Sequence, residues 1–321
     1  MVNLIPSKPN MLEPRRNCSK LMFRPAHKWQ LIAARTCCVV SAIASVSITS
    51  ASTACPLAVE ARAAVTAILD ARTLRLDDGT EVRLAGLLAP SAPAIHHGSA
   101  PEEPTAGQKP PRHNGASGTW PPLRNALSAL DSLVLGQSID LAFTSSRPDR
   151  YGRKLAQVVV RQNKSRIWVQ EFLLARGHAR LDLTETELPC VSGLLAVEAM
   201  ARSTNQGLWS HAAYQTRHAH QPLDLLRLES TFQIIEGRVA KVARSRQRYF
   251  LNFGRHRYRD FTIGLGSRIK DQLRLRGIDV TALAGSNIRV RGWLERRGGP
   301  YIYLSTADQL EILDTSRRDL Q

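Results

Sequence analysis

The chain has 321 residues, of which 43% are hydrophobic, and this excludes a protein too polar to bury a core. Its length fits two compact domains. The formal charge is +17, and 37 of the 44 Lys and Arg residues lie beyond residue 54. This balance favours polyanionic partners such as nucleic acid, anionic lipid or an acidic polymer, unless it reflects only a general preference for arginine.

Residues 1–58 predict an export segment. Basic residues precede an apolar run at 37–48, and small residues follow at 50–54, which is the order of a secretory signal. The run is short for a membrane span, and no transmembrane helix is expected in the mature chain. We therefore expect a periplasmic or secreted protein. Cys55 follows the small residues as in a lipoprotein, but Ser52 replaces the usual aliphatic residue, so we do not expect a lipid anchor.

The cysteines show no metal-binding pattern, because the sequence contains neither CxxC nor a Cys/His zinc spacing. Removal of the export segment leaves Cys55 and Cys190. In an oxidising compartment these two could form a disulfide, and the alternative is a pair of free thiols.

The first predicted elements are strands within 62–91, where a turn at Asp77-Asp78-Gly79 joins two alternating runs. Residues 91–122 are rich in Pro, Gly, Ser and His and predict a mobile loop. A helix is then predicted from Pro121 to Gly136, and its buried face consists of Leu123, Leu127, Leu130 and Val134. Strands are predicted at Ile139–Phe143, Leu155–Val160 and Ala179–Leu183, with a helix at Trp168–Arg176 before the last of them. A final helix is predicted at Ser192–Asn205, with Leu194, Val197 and Ala201 buried.

A linker is predicted at 213–229, and a second β-rich unit at 230–316. Its signals are four or five short strands with a helix near Ser267 to Arg276 and a Gly298-Gly299 hairpin, which together fit a small OB-like barrel.

Three stretches resemble the staphylococcal-nuclease-like (thermonuclease) family over about residues 62–212. They are Val82-Arg83-Leu84-Ala85-Gly86-Leu87-Leu88-Ala89-Pro90, Asp149-Arg150-Tyr151-Gly152-Arg153-Lys154-Leu155-Ala156 and Gly207-Leu208-Trp209. The resemblance implies a five-strand OB barrel with flanking helices. The expected fold is mainly β: a thermonuclease-like OB domain at 59–212, and then the second, smaller OB-like barrel.

The family hydrolyses phosphodiester bonds with a cation, usually calcium, that is held by carboxylates and a carbonyl group. A glutamate helps to position or activate water, and two arginines stabilise the charge that develops on phosphorus. Matched residue by residue, the resemblance places Arg83 and Arg153 at the two arginine positions, and Asp149 and Tyr151 in the family turn.

The acidic positions of the family are degenerate in this chain. Leu88 and Arg72 stand where the family has metal-binding Asp residues, and Ser91 stands for the glutamate. Calcium takes six to eight oxygen ligands, and a guanidinium would repel it. We therefore expect no calcium site and no cofactor. The aromatic pair that covers the nucleotide base is also missing near residues 180–183.

Without a metal, the guanidiniums of Arg72, Arg83 and Arg153 predict an anion site that binds phosphate. The alternative is that Arg83 and Arg153 simply form ion pairs with nearby carboxylates such as Asp149. A third possibility is that loop residues supply new catalytic groups, and the candidates are His96, His97, Glu102 and Glu103.

The second unit interleaves arginines with aromatic residues between 244 and 259. This pattern is typical of OB folds that hold single strands, and it also arises in an ordinary barrel with aromatic residues inside and arginines outside.

Three functions remain open for the whole chain. The first is an exported binder of nucleic acid or another polyanion without calcium-dependent cleavage. The second is an active phosphodiesterase that uses loop carboxylates or a metal-free route, and the third is a cell-envelope scaffold for protein interactions.

Overall fold

The computed structural model describes residues 55–92, 120–162, 165–184, 188–256 and 258–313. The predicted export segment up to residue 54 lies outside this part of the chain, and so does most of the predicted loop, including its His and Glu pairs. These features remain predictions. No helix in the described ranges is long and apolar enough to cross a membrane.

The first three strands form the predicted antiparallel meander. They are β1 (Ala61–Asp70), β2 (Thr73–Leu76) and β3 (Glu81–Leu84). Gly79 closes the β2–β3 turn with a φ of +80°, a conformation that glycine adopts without steric cost. The alternating apolar side chains of β2 and β3 enter the core, where Leu74 is fully buried. The predicted hairpin is confirmed.

Two further strands close a barrel. β5 (Ser138–Phe143) follows β1 in the sheet, β6 (Lys154–Gln162) follows β5, and β7 (Ser165–Trp168) extends the edge. Because β3 also pairs in parallel with β6, β1, β2, β3, β5 and β6 form a closed ring. In that pairing Arg83 lies opposite Leu155, beside the turn that precedes β6. The five-strand barrel implied by the resemblance is confirmed.

Three helices flank this barrel: α1 (Pro121–Val134), α2 (Val169–Ala175) and α3 (Val191–Ser203). Each lies within two residues of its predicted bounds. Trp168 was predicted to begin α2 but instead ends β7. The short strands β4 (Leu87–Leu88) and β8 (Arg180–Leu181) pair antiparallel beside the barrel, so β8 is shorter than predicted.

The buried faces of the helices differ in part from the predicted ones. In α1, Ala126 and Leu130 are fully buried, whereas Leu123 and Leu127 are only half-buried. The small Ala126 side chain lets neighbouring elements approach the helix closely. The buried face of α1 is therefore not simply the one that carries the largest apolar side chains. In α3, Leu194 and Ala201 are buried as predicted, Val197 is only half-buried, and the charged Glu198 is completely buried.

A disulfide joins Cys55 to Cys190, which lies 135 residues later in the chain and immediately precedes α3. The structure thus shows the paired form of these cysteines rather than two free thiols. The bond ties the segment before β1 to the start of α3.

The predicted linker 213–229 contains regular structure. Its elements are β9 (Arg217–His218) and α4 (Pro222–Leu226), and β9 pairs in parallel with β10 (Phe232–Arg238). This segment therefore packs as part of the second β unit. All the described residues pack as one compact body, so the predicted boundaries between two domains remain predictions.

The second unit consists of two sheets, with strand orders β17-β14-β10-β9 and β11-β12-β13-β16-β15. The remaining elements are β11 (Lys241–Ser245), β12 (Arg248–Asn252), β13 (Thr262–Gly266), α5 (Ser267–Leu275), β14 (Asn287–Trp293), β15 (Glu295–Arg297), β16 (Gly299–Tyr303) and β17 (Leu310–Ile312). The predicted α5 and glycine hairpin are confirmed, but the described part of this unit contains eight strands, β10 to β17, where four or five were predicted. Because the hydrogen bonds divide between two sheets, a closed second barrel remains a prediction.

A buried ion cluster connects the two units. Glu198 of α3 accepts hydrogen bonds from the Leu181 main chain at 2.7 Å and from Arg291 Nη1 of β14 at 2.7 Å. Arg291 also contacts Glu311 at 3.1 Å, and Arg202 lies 3.5 Å from Glu198. The side chains of Glu198 and Arg291 are 0% and 1% exposed. This cluster was not predicted from the sequence.

Candidate phosphate-binding site

Asp149 organises the turn that precedes β6. Its Oδ1 accepts the main-chain N–H groups of Tyr151 at 2.9 Å and Arg153 at 3.1 Å. Its Oδ2 lies 2.8 Å from Arg153 Nε and 2.7 Å from Arg153 Nη2. Gly152 completes the turn with a φ of +80°. One carboxylate therefore fixes both the main chain of the turn and the direction of the Arg153 side chain.

Arg83 reaches the same carboxylate from the neighbouring strand. The parallel pairing of β3 with β6 brings Arg83 Nη1 to 3.8 Å from Asp149 Oδ2. Burial would raise the pKa of Asp149, but hydrogen bonds from Arg153 and Tyr151 outweigh it and lower that pKa below 3.8. Asp149 is therefore ionised at neutral pH, and it neutralises part of the charge of the two arginines.

The Tyr151 ring lies close to two guanidiniums of the turn. Arg150 Cζ is 4.8 Å from the ring centroid and Arg153 Cζ is 5.0 Å from it. Tyr151 is 51% exposed. We call Arg83 and Arg153, which contact Asp149, together with Arg150, which contacts the Tyr151 ring, the arginine cluster. Three cations and one carboxylate leave this surface positively charged.

Arg72 is engaged elsewhere. Its Nη1 donates to the main-chain oxygen of Leu87 in β4 at 3.0 Å, and its own carbonyl accepts from Leu84 N–H at 2.8 Å. The structure thus brings Arg83 and Arg153 together on Asp149, whereas the contact seen for the Arg72 guanidinium is with β4. The alternative in which Arg83 and Arg153 pair with Asp149 is observed, and an anion site formed by all three arginines remains a prediction.

The residues that the sequence resemblance assigns to the acidic positions do not suit a calcium ion. Leu88 is 8% exposed and has no side-chain oxygen, and Arg72 carries a positive charge. Ser91 offers one neutral hydroxyl, and its main chain is hydrogen-bonded to the Tyr214 hydroxyl. Calcium prefers several anionic oxygens, so this donor set does not fit it. The described residues also contain no group of three or more His, Cys, Asp or Glu side chains able to hold a metal.

Arg180 is a buried charge that the sequence did not reveal. It lies in β8 opposite Leu88, donates from Nη1 to the Phe232 carbonyl at 2.7 Å, and has its guanidinium 4.9 Å from the Tyr214 ring centroid. Burial lowers the pKa of Arg180 to about 10, so it stays charged at neutral pH. It acts as a second connection between the barrel and the C-terminal strands.

Residues 108–211 match the family described as staphylococcal nuclease homologue. This chain contains a staphylococcal-nuclease-like domain. The matched range covers about a third of the chain and includes Asp149, Tyr151 and Arg153. Arg72, Arg83, Leu88 and Ser91 precede it, so their assignment depends on the barrel and the sequence motif. No curated protein sequence matches the chain significantly.

The family match and the geometry of the barrel both concern the turn before β6. In the nuclease-like domain, the closed barrel brings an arginine of β3 beside the arginine of that turn. A domain of this family supports nucleic-acid chemistry or binding.

Proposed function

We propose that the chain is an exported protein that binds nucleic acid through its nuclease-like domain and does not hydrolyse it by the calcium-dependent route. Export is supported by the leader pattern and by the Cys55–Cys190 disulfide, since such bonds persist in oxidising compartments.

The observation that carries the proposal is the donor set around β4. A divalent cation there would meet the Leu88 side chain and the Arg72 guanidinium instead of two carboxylates. At about 4 Å, two unit positive charges repel by roughly 4 kcal/mol at an effective dielectric constant of about 20, and the repulsion is larger for a divalent ion. Such a site disfavours calcium and tolerates an anion.

Phosphate binding is supported by the arginine cluster. Arg153 is held by Asp149 and Tyr151, so little conformational entropy is lost when its guanidinium meets a phosphate. The β3–β6 pairing fixes the main chain of Arg83, and its Nη1 lies 3.8 Å from Asp149 Oδ2. A planar guanidinium suits bidentate contact with phosphate oxygens.

We expect Arg153→Ala to weaken the retention of DNA in a gel-shift titration by roughly tenfold at low salt, because one charged phosphate contact is lost. The slope of log affinity against log salt should fall by about one unit. Arg166→Ala, which removes an exposed arginine on β7, is the matched control. Equal effects of the two substitutions would contradict a phosphate site at the turn.

Asp149→Asn should have the opposite effect on binding. Because the pKa of Asp149 is low, the substitution removes a full negative charge at neutral pH, and DNA affinity should rise several-fold at low salt. The same change should lower the thermal midpoint, since the turn loses a charged acceptor. Weaker DNA binding by a folded Asp149→Asn variant would show that the carboxylate serves binding rather than opposes it.

The unmodified protein tests the whole proposal. If it retained no polyanion at low salt, the scaffold function would replace this proposal.

A further inference from the structure

A cleft of about 300 Å³ lies on the second β unit, remote in sequence from the arginine cluster. All five strands of the five-stranded sheet and the connection before β13 contribute residues to it. The side chains that matter for its chemistry are Arg244, Arg248, Phe250, Tyr258, Arg297 and Tyr301.

The alternation of β12 explains why these side chains face outward. Tyr249 and Leu251 point into the core and are buried, so Arg248 and Phe250 project from the opposite face. Arg248 is exposed and Phe250 is half-buried. The sheet therefore presents a cation and an aromatic ring side by side.

Gly264 of β13 creates the depth of the cleft. A Cβ atom at this position would overlap the Tyr301 hydroxyl, so glycine allows the Tyr301 ring to cross over β13. Tyr301 is itself buried and forms part of the floor. The Arg297 guanidinium lies 4.6 Å from the centroid of that ring, and Tyr258, 65% exposed, lies at the rim.

The charge of the cleft is positive. Three arginines line it, and none of the described lining residues is an Asp or Glu. Glu295, which is not among the lining residues, accepts a hydrogen bond from Arg297 Nε at 2.9 Å on the hairpin and neutralises part of this charge. Burial raises the pKa of Tyr301, so its hydroxyl is neutral at physiological pH and adds no negative charge.

We propose that this cleft binds single-stranded nucleic acid, with a base against Phe250 and Tyr258 and the phosphate backbone beside Arg248 and Arg297. Unpaired bases expose the faces that stack on aromatic rings, whereas a duplex keeps its bases stacked internally. The volume is at the lower end of small-ligand pockets and suits one nucleotide rather than a double helix. The proposal extends the proposed function, because it assigns a second contact outside the nuclease-like domain.

The test is fluorescence anisotropy with the mature chain, using labelled oligothymidine and a duplex of mixed sequence. The double variant Arg248→Ala/Tyr258→Ala should weaken oligothymidine binding by about tenfold or more, since stacking and one phosphate contact are lost. Duplex binding should change by less than about twofold, because the paired bases do not stack in the cleft. Both substituted residues are exposed, and circular dichroism checks that the variant is folded.

The matched control is Arg274→Ala/Tyr303→Ala, which removes an exposed arginine of α5 and an exposed tyrosine of β16 outside the cleft. Equal losses in the control and the cleft variant, or equal losses for single strand and duplex, would overturn the proposal. Arg153→Ala separates it from the proposed function. If Arg153→Ala weakens binding and the cleft variant does not, the cleft proposal fails alone. The reverse result would overturn the arginine cluster and retain the cleft.

Discussion

Replacing Glu198 with glutamine should lower the free energy of unfolding by about 3–5 kcal/mol, the range for breaking a buried ion pair on one side. Glu198 is completely buried and contacts Arg291 at 2.7 Å. Burial alone would lower the pKa of Arg291, but Glu198 and Glu311 raise it above its ordinary value, so the guanidinium is charged. Glutamine would leave this buried cation with Glu311 as its remaining anionic contact.

Urea denaturation, followed by tryptophan fluorescence and circular dichroism, measures this effect. Asp224→Asn is the matched control, because Asp224 forms an exposed pair with Arg227 at 3.4 Å and should change stability by less than about 0.5 kcal/mol. The double variant Glu198→Gln/Arg291→Met should cost less than the sum of the two single changes, since no buried cation is then left. A loss below about 1 kcal/mol for Glu198→Gln would show that the cluster does not hold the two units together.

Removing the disulfide should lower the free energy of unfolding by about 2–5 kcal/mol. The bond joins residues 135 apart, and a long loop loses much conformational entropy in the unfolded state when it is closed. Cys55→Ser and Cys190→Ser should therefore reduce the urea midpoint to a similar degree. The double variant should be no less stable than either single variant, because all three lack the same bond.

Dithiothreitol supplies a second measurement of this prediction. It should lower the urea midpoint of the unmodified mature chain and leave that of the double Cys→Ser variant unchanged. A large difference between the two single variants, or a midpoint that does not respond to reduction, would contradict a stabilising role of the bond.

The β2–β3 hairpin and the turn before β6 could be predicted from the sequence because their signals are local. Alternation in β2 and β3, the turn with Gly79 and the Asp149-to-Arg153 turn each depend on neighbouring residues. The five-strand barrel was predicted from the family resemblance, and no local pattern fixes the parallel β3–β6 pairing that closes it. The same holds for the encounter of Arg83 with Asp149, which that pairing produces.

The buried charges could not be predicted in this way. Glu198 lies on the apolar stripe of α3, and periodicity assigns charged residues to solvent. Its partner Arg291 is 93 residues away and belongs to another sheet. The alternation of β14 likewise gives no sign that its arginine is paired with an acid of the other unit. Such pairs become visible only when the packing of the two units is known.

The candidate site was predicted only in part. The Asp149 turn and the two arginines follow from the motif, and the structure shows all three together. The engagement of Arg72 with the Leu87 carbonyl was not foreseen, because it depends on how β4 passes the end of β1. The cleft on the second unit required Gly264 to be placed beneath Tyr301, which the sequence pattern alone does not fix.

Digestion of single-stranded and plasmid DNA by the purified mature chain, with calcium or with chelator, tests the central claim most directly. We expect both substrates to remain intact under the two conditions, while the same preparation retards DNA in a salt-dependent manner. Chelator-sensitive cleavage that disappears in Arg153→Ala would contradict the account, and it would show that carboxylates from elsewhere in the chain restore a metal-dependent nuclease.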